Sequence, residues 1–339
     1  MSVRIKEIAF DKALSIGATN ALNVCLCLKP TERITVITDN TSEEIAASLV
    51  YEIEKIGSDY NVFVLEDFSQ RPMEDMPQNI LDDLATSQVS IFACVAQEGE
   101  LGSRIQMTKV VNKHKIRHAH MVNINKQIML EGMRADFLEV DKLGTKLLQK
   151  VQKAEIIRVR SKGGTNIVAE FSPKLHWLKT SGIISVDKWG NLPGGEILTT
   201  PMNVNGTFIV DGVVGDYLCA KYGDLKETPI TIEIKDSRIK SLHCSYATLL
   251  NEFTDYIHTD ENSNRVGEFA IGINTALKEI CGNILQDEKL PGVHLAFGNP
   301  YGEHTGANWV STTHIDCVGR EFDIEVAGEK IMEQGQFLI

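Results

Sequence analysis

The chain is poor in the features that mark several large protein classes. Its 339 residues include only 9 prolines, no two of them adjacent, and neither an internal repeat nor a low-complexity tract, which argues against a fibrous segment or a stiff proline-rich tether. Basic side chains are scarce, 34 Lys and Arg against 46 Asp and Glu. The resulting net charge of −12 argues against a nucleic-acid partner, which needs a basic face to replace phosphate counterions. The acidic surplus itself reports solubility and identifies no partner. Long apolar runs are missing as well. The opening MSVRIKEIAFDKALSIGATN never reaches the roughly 7 to 15 apolar residues of a signal-peptide core, and no stretch approaches the length of a bilayer span. A soluble, cytoplasmic protein with no membrane partner is expected. The seven cysteines suit a reducing compartment, being odd in number and mostly set in apolar runs such as NVCLCL and IFACVA. Cys25-x-Cys27 lacks a second pair and reads as core packing, not as half of a metal site.

Familiar catalytic signatures are also absent. There is no G-x-x-x-x-G-K-[ST] phosphate loop, no H-E-x-x-H zinc helix and no G-x-S-x-G nucleophile elbow. The first strand-to-helix junction, ITDNTSEE, carries no G-x-G-x-x-G, which argues against dinucleotide binding of the usual kind.

What is present is a globular composition, 43% hydrophobic and 24% charged, in a chain long enough for two domains. RITVIT reads as a buried strand, and Thr41-Ser-Glu-Glu44 after it has the form of a capping box. Ile45, Leu49, Ile53 and Ile56 then recur at helical spacing up to Gly57, and NVFVL gives a second strand. The alternation continues through SIFACVA and HAHMVNI and a helix near 141–154, so residues 1–155 are expected to form an α/β domain with a parallel sheet. Beyond Glu155 the character changes. EIIRVRSKGGTNIVAEF predicts a hairpin around Gly163-Gly164, and NGTFIVDG, ITIEIKDSRI and FDIEVAG continue as glycine-punctuated strands. Only Glu268 to Leu285 reads as a long helix. Residues 156–339 are therefore expected to form a mixed α+β domain.

The candidate ligands lie in that second domain. His314-Ile-Asp316 sits in a strand-like stretch whose period of two puts imidazole and carboxylate on one face. The same spacing in His258-Thr-Asp260 falls in the polar run HTDENSN and reads as a solvated loop. Glu196 follows a Pro-Gly-Gly turn that permits close backbone approach and leads straight into ILTTP. Glu268 follows Arg265-Val-Gly267 at the start of the expected helix, where it can also serve the helix dipole. His294 opens HLAFG, with Tyr301 and His304 following in NPYGEHTG. In HKIRHAH, by contrast, His114, His118 and His120 alternate with cations that would repel a metal, and a surface segment is expected. A set of carboxylates and imidazoles without thiolates suits Zn²⁺, Mn²⁺, Co²⁺ or Fe²⁺ and favours metal-assisted hydrolysis.

At these residues the sequence resembles the thermophilic aminopeptidases, the aminopeptidase T and aminopeptidase S group of two-metal exopeptidases. The matching pieces are NLPGGEILTTP with NGTFIVDG, DENSNRVGEFAIGIN, HLAFGNPYG and HIDCV, in the family's order, over most of residues 156–318. The first domain shares only the α/β pattern. The resemblance implies that Glu196, Glu268, His294, Tyr301, His314 and Asp316 are metal ligands, that two divalent ions are bound per chain, and that the protein is a homodimer acting on a small peptide or amino-acid-derived substrate. Under it, Glu268 and Asp316 include the bridging ligand, and the catalytic set comprises Glu196, Tyr301 as an oxyanion donor or ligand, and Glu303 as the proton carrier to the leaving amine. The stretch between His294 and His314 is compressed, and Val310-Ser311-Thr312 replaces the family's Asp-Ser ahead of the H-x-D strand. A related group, the 2,5-dihydroxypyridine dioxygenases, holds a single Fe²⁺ on two histidines and a carboxylate. This chain keeps the H-x-D pair as His314 and Asp316 but carries Glu268 at the position of their other histidine. A mononuclear Fe(II) dioxygenase and a non-catalytic binding protein of the same fold are the alternative expectations.

Overall fold

A computed structural model describes residues 3–339. The chain forms two compact units, Met1–Leu138 with Gly182–Gly194, and Glu139–Ser181 with Gly195–Ile339.

In the first unit, β1 (Arg33–Thr38), β2 (Asp59–Val64), β3 (Val89–Ala93) and β4 (Arg117–His120) pair in parallel in the order β2-β1-β3-β4. Five of the six residues of β1 are buried, as its β-branched composition requires. The helix Glu43–Ile56 returns the chain from β1 to β2, burying Ile45, Leu49 and Ile53 and ending at Gly57 with φ of +84°. Its entry is not the capping box expected at Thr41 and Glu44. Asp39 takes the capping role, accepting from the Ser42 amide at 2.8 Å, while Glu44 accepts from the Asp11 amide.

Strand order reverses between β1 and β3, the place where open parallel sheets usually admit ligands. Here that place is filled by Arg71, whose side chain is 4% exposed and pairs with Asp39 at 2.6 Å and Glu100 at 2.5 Å. HKIRHAH is the surface segment expected only at His114 and Lys115, which are exposed. His118 and His120 are buried in β4, His118 bonding Ser90 at 2.8 Å and His120 at 3.2 Å, and burial lowers the pKa of both, that of His118 to about 3. Flanked by β3 and β8, β4 buries three of its four residues, and the two buried histidines bond each other. Cys25 is buried, whereas Cys27 is exposed and so takes no part in the core packing expected of it.

The second unit opens with the hairpin of β5 (Ile156–Ser161) and β6 (Asn166–Glu170), followed by β7 (Leu178–Thr180). The chain then returns to the first unit to lay β8 (Gly190–Asn191) beside β4. Back in the second unit follow β9 (Glu196–Thr199), β10 (Asn203–Val210), β11 (Ile230–Lys235), β12 (Arg238–His243), β13 (Val266–Gly272), β14 (Gly292–Gly298), β15 (His314–Val318), β16 (Phe322–Val326), β17 (Glu329–Glu333) and β18 (Gln336–Phe337). They build an eight-stranded sheet, β12-β11-β10-β6-β5-β16-β17-β18, and a five-stranded sheet, β15-β14-β13-β9-β7, with antiparallel pairing throughout. The mixed α/β and α+β architecture matches the expectation.

One element differs. Glu268 does not open a helix; it lies inside β13, and the only helix in the expected span is the short Ile284–Asp287. All seven residues of β13 are buried, and a strand covered on both faces shows no alternation to distinguish it from a buried helix. Phe269 packs edge-on against Phe171 and Trp177 at 5.2 and 6.2 Å. Glu268 therefore faces the other side of the sheet.

Candidate metal centre

The five-stranded sheet collects the candidate residues by register. Glu268 of β13 pairs with Ala296 of β14, which pairs with Asp316 of β15, so the three form one row on one face. Two residues along, Ala270 pairs with His294, and Gly298 pairs with His314. Glu196, at the start of β9, pairs with Gly272 on the same face of β13. Alternation by two thus projects five ligand-type side chains to one side, while Ala270, Gly272, Ala296 and Gly298 between them leave room above the sheet. Gly298 has φ of +110°, and a Cβ there would lie 2.2 Å from the Thr313 carbonyl oxygen.

The side chains converge. His294 Nε2 donates to Glu268 Oε1 at 3.2 Å and lies 3.6 Å from Glu196 Oε2 and 3.9 Å from Asp316 Oδ1. His314 Nε2 lies 3.3 Å from Asp316 Oδ1 and 3.8 Å from the other Glu268 oxygen. The two oxygens of Glu268 therefore face different histidines. Three triads bring one donor atom each within 4.8 Å of one another: Glu196, Glu268 and His294; Glu268, His314 and Asp316; and Glu288, His294 and Asp316. His314 Nδ1 lies 2.9 Å from the Asn299 carbonyl, a bond that fixes the tautomer and directs Nε2 inward.

So many buried carboxylates need compensating charge. Burial alone would lower the pKa of His294, but its bond to Glu268 and the charges of Glu196, Glu268 and Asp316 raise it to about 9. His314 behaves alike: against the effect of burial, Asp316 and Glu268 raise it to about 10. Asp316 is correspondingly held down at about 2, against burial, by His314, His294 and Lys289. Both imidazoles are thus protonated near neutral pH and occupy the place of a cation. A donor set of two imidazoles and carboxylate oxygens in a buried site fits a divalent metal ion.

Two participants escaped the sequence reading. Glu288 joins the cluster through His294 and Asp316, and burial raises the pKa of its carboxyl. Lys289, 1% exposed, pairs with Glu196 at 2.8 Å and with Glu288. In the sequence both belong to DEKLPG, which has the composition of a solvated turn, and no local signal marks them.

The remaining candidates sit outside the converging set. The Tyr301 ring lies 4.5 Å from that of His314 and the residue is 44% exposed. Glu303 and His304 are exposed on the short helix Gly302–Thr305, without a hydrogen bond or ion pair to the cluster. His258, in the turn after the helix Ala247–Tyr256, bonds the Thr254 carbonyl of that helix. Asp260 is more than a solvated loop residue. It accepts from the Thr312 amide at 2.6 Å and hydroxyl at 2.8 Å and from Ser311 at 3.0 Å, fixing the segment that leads into His314. Although burial acts the other way, these donors hold its pKa well below the usual carboxylate range.

Residues 139–337 match the family of thermophilic metalloproteases (M29), a span that contains every residue of this centre, and the chain belongs to that family of metal-dependent proteolytic hydrolases. Wild-type AmpT from Thermus thermophilus superposes with a TM-score of 0.70 at 13% identity, over 98% of this chain and 100% of that one. A 2,5-dihydroxypyridine dioxygenase from Pseudomonas putida KT2440 does so with a TM-score of 0.69 at 14% identity, over 96% of each chain. At these identities the likeness establishes the fold. No curated protein matches the sequence. Among the described residues no helix is long and apolar enough to cross a membrane.

Proposed function

We propose that the protein is an aminopeptidase-like hydrolase that releases an N-terminal amino acid from a small peptide or related amide, with two divalent ions that Glu196, Glu268, His294, His314 and Asp316 would hold. The observation that carries this reading is the splitting of the Glu268 oxygens between His294 and His314, with Glu196 completing one triad and Asp316 the other. Such ions, when bound, polarise a carbonyl and lower the pKa of water toward neutrality.

The chain's own groups supply the rest. Glu288 stands beside His294 and Asp316 with a raised pKa and carries a proton from the nucleophilic water to the leaving amine; Glu303 is too exposed to be sheltered for that task. Tyr301, its ring tilted against that of His314, donates its phenolic hydrogen to the developing oxyanion. The acidic character of the centre attracts a free substrate amine. Zn²⁺, Co²⁺ and Mn²⁺ all accept this donor set. Cytoplasmic location and a homodimer complete the proposal.

The test is metal analysis of anaerobically purified protein, followed by assay on aminoacyl-p-nitroanilides with and without added Zn²⁺, Co²⁺ or Mn²⁺. Metal-dependent amine release that is abolished in Glu268→Gln supports the reading. One Fe²⁺ per chain, with oxygen consumption on a dihydroxypyridine, overturns it in favour of a dioxygenase. Full metal content in both Glu268→Ala and His314→Ala would leave a binding protein of the same fold.

A further inference from the structure

Lys289 is an unusual neighbour for a metal centre. Its side chain is 1% exposed, and its ammonium group pairs with Glu196 Oε1 at 2.8 Å and with Glu288. A lysine this deep persists only when paired, because the uncompensated charge would be expelled from the interior. It has little freedom to withdraw: its carbonyl accepts from the Asn274 amide at 3.0 Å, and only Leu290 and Pro291 separate it from β14, which starts at Gly292. Glu196 Oε1 also accepts from the Thr180 hydroxyl at 2.9 Å. Two donors therefore occupy that oxygen, and only Oε2 faces His294.

The other triad is different. Asp316 and Glu268 ion-pair with histidines, whose protons a metal ion can displace; Lys289 forms an ion pair with neither, and its charge reaches Asp316 only from beyond ion-pair distance, behind those of both histidines. We infer that Lys289 makes the two ion subsites unequal: the subsite of Glu268, His314 and Asp316 holds one divalent ion tightly, while that of Glu196, Glu268 and His294, already neutralised in part by the lysine, takes its ion weakly. The inference rests on the metal-centre reading above and deepens it. An ion in the second subsite shares Glu196 with a fixed ammonium group, and like charges so close weaken binding strongly where water is excluded.

The experiment is Zn²⁺ binding to chelator-treated protein, followed by calorimetry and by metal analysis after gel filtration, for the wild type, Lys289→Gln and Glu196→Gln. Glutamine keeps a donor toward Glu196 without the charge. The wild type is expected to retain about one ion and to bind a second more than about tenfold more weakly. Lys289→Gln retains two, its weaker subsite tightened by at least about tenfold. Glu196→Gln loses the weak ion and keeps the tight one. Two ions of equal affinity in the wild type, or a second affinity unchanged in Lys289→Gln, overturns the inference and leaves the two-ion reading intact. Absence of binding in the wild type overturns both. Should Lys289→Gln fail to fold, the two wild-type affinities and the Glu196→Gln stoichiometry still decide the matter.

Discussion

Metal uptake at the proposed centre would displace protons, so its affinity is expected to climb steeply with pH. His294 and His314 titrate at about 9 and about 10 in the metal-free protein, where carboxylates surround them. At pH 7 the first ring sits two pH units below its midpoint and the second three. Freeing both rings for a metal therefore takes up to about 7 kcal/mol, at about 1.4 kcal/mol per pH unit. Full occupancy at pH 7 should release close to two protons per chain, and overall affinity should rise up to about a hundredfold from pH 7 to pH 8. Stability gives a second reading of opposite sign. Both pKa values lie above the unfolded value of about 6.5, so the stabilisation they confer on the metal-free protein is complete below pH 6.5 and disappears as pH rises through 9 and 10. Chelator-treated protein should therefore lose thermal stability between pH 7 and pH 10, while the increment gained on adding Zn²⁺ grows over pH 7 to 9. Calorimetry in buffers of different ionisation enthalpy counts the protons, and scanning fluorimetry follows the two trends. Release of less than half a proton at pH 7, with affinity flat from pH 6.5 to 8.5, would refute the argument that imidazolium ions stand in for metal.

Other perturbations test the frame around the centre. His118 and His120 are held neutral by burial, so their stabilisation is present above pH 6.5 and is lost as pH falls toward 3, about 1.4 kcal/mol per pH unit for His118. Trp189, whose ring lies 5.5 Å from that of His120, reports it by fluorescence in urea titrations once Trp177 and Trp309 are replaced by Phe, and equal midpoints at pH 7 and pH 4.5 would contradict it. Asp260→Ala removes the acceptor for Ser311 and Thr312, with an expected loss of about 2 kcal/mol and weaker Zn²⁺ binding through the released His314; unchanged unfolding and unchanged affinity would show that this loop needs no anchor. Gly298→Ala forces a Cβ against the Thr313 carbonyl and a positive φ on an L-residue, and should cost about 2 kcal/mol or more, read as a fall in melting temperature. A variant as stable as the wild type would mean that β14 and β15 can move apart at no cost.

The residues legible in the sequence were those whose chemistry and local pattern coincide. His314-x-Asp316 needs only the period of a strand to share a face, and Glu196 is announced by its Pro-Gly-Gly turn; the fold brings both beside Glu268 and His294. The hairpin around Gly163-Gly164 was equally legible, because turn chemistry is local, whereas ITIEIKDSRI, read as a strand, holds the turn between β11 and β12. Where an element is buried on both faces that advantage fails, which is why β13 looked helical and why HKIRHAH looked like surface. The excursion of 182–194 into the first unit has no local signal at all, since β8 is two residues long and its partner β4 lies about 70 positions earlier. Lys289 is the extreme case. Its partner Glu196 is 93 residues away, so in DEKLPG it reads as one more solvated charge, and only the meeting of β14 with β9 across β13 turns it into a buried cation. Ligand identity follows from short-range pattern, but the charge an ion meets depends on long-range register. The proposed inequality of the two ion subsites therefore turns on Lys289, the residue whose local sequence says least.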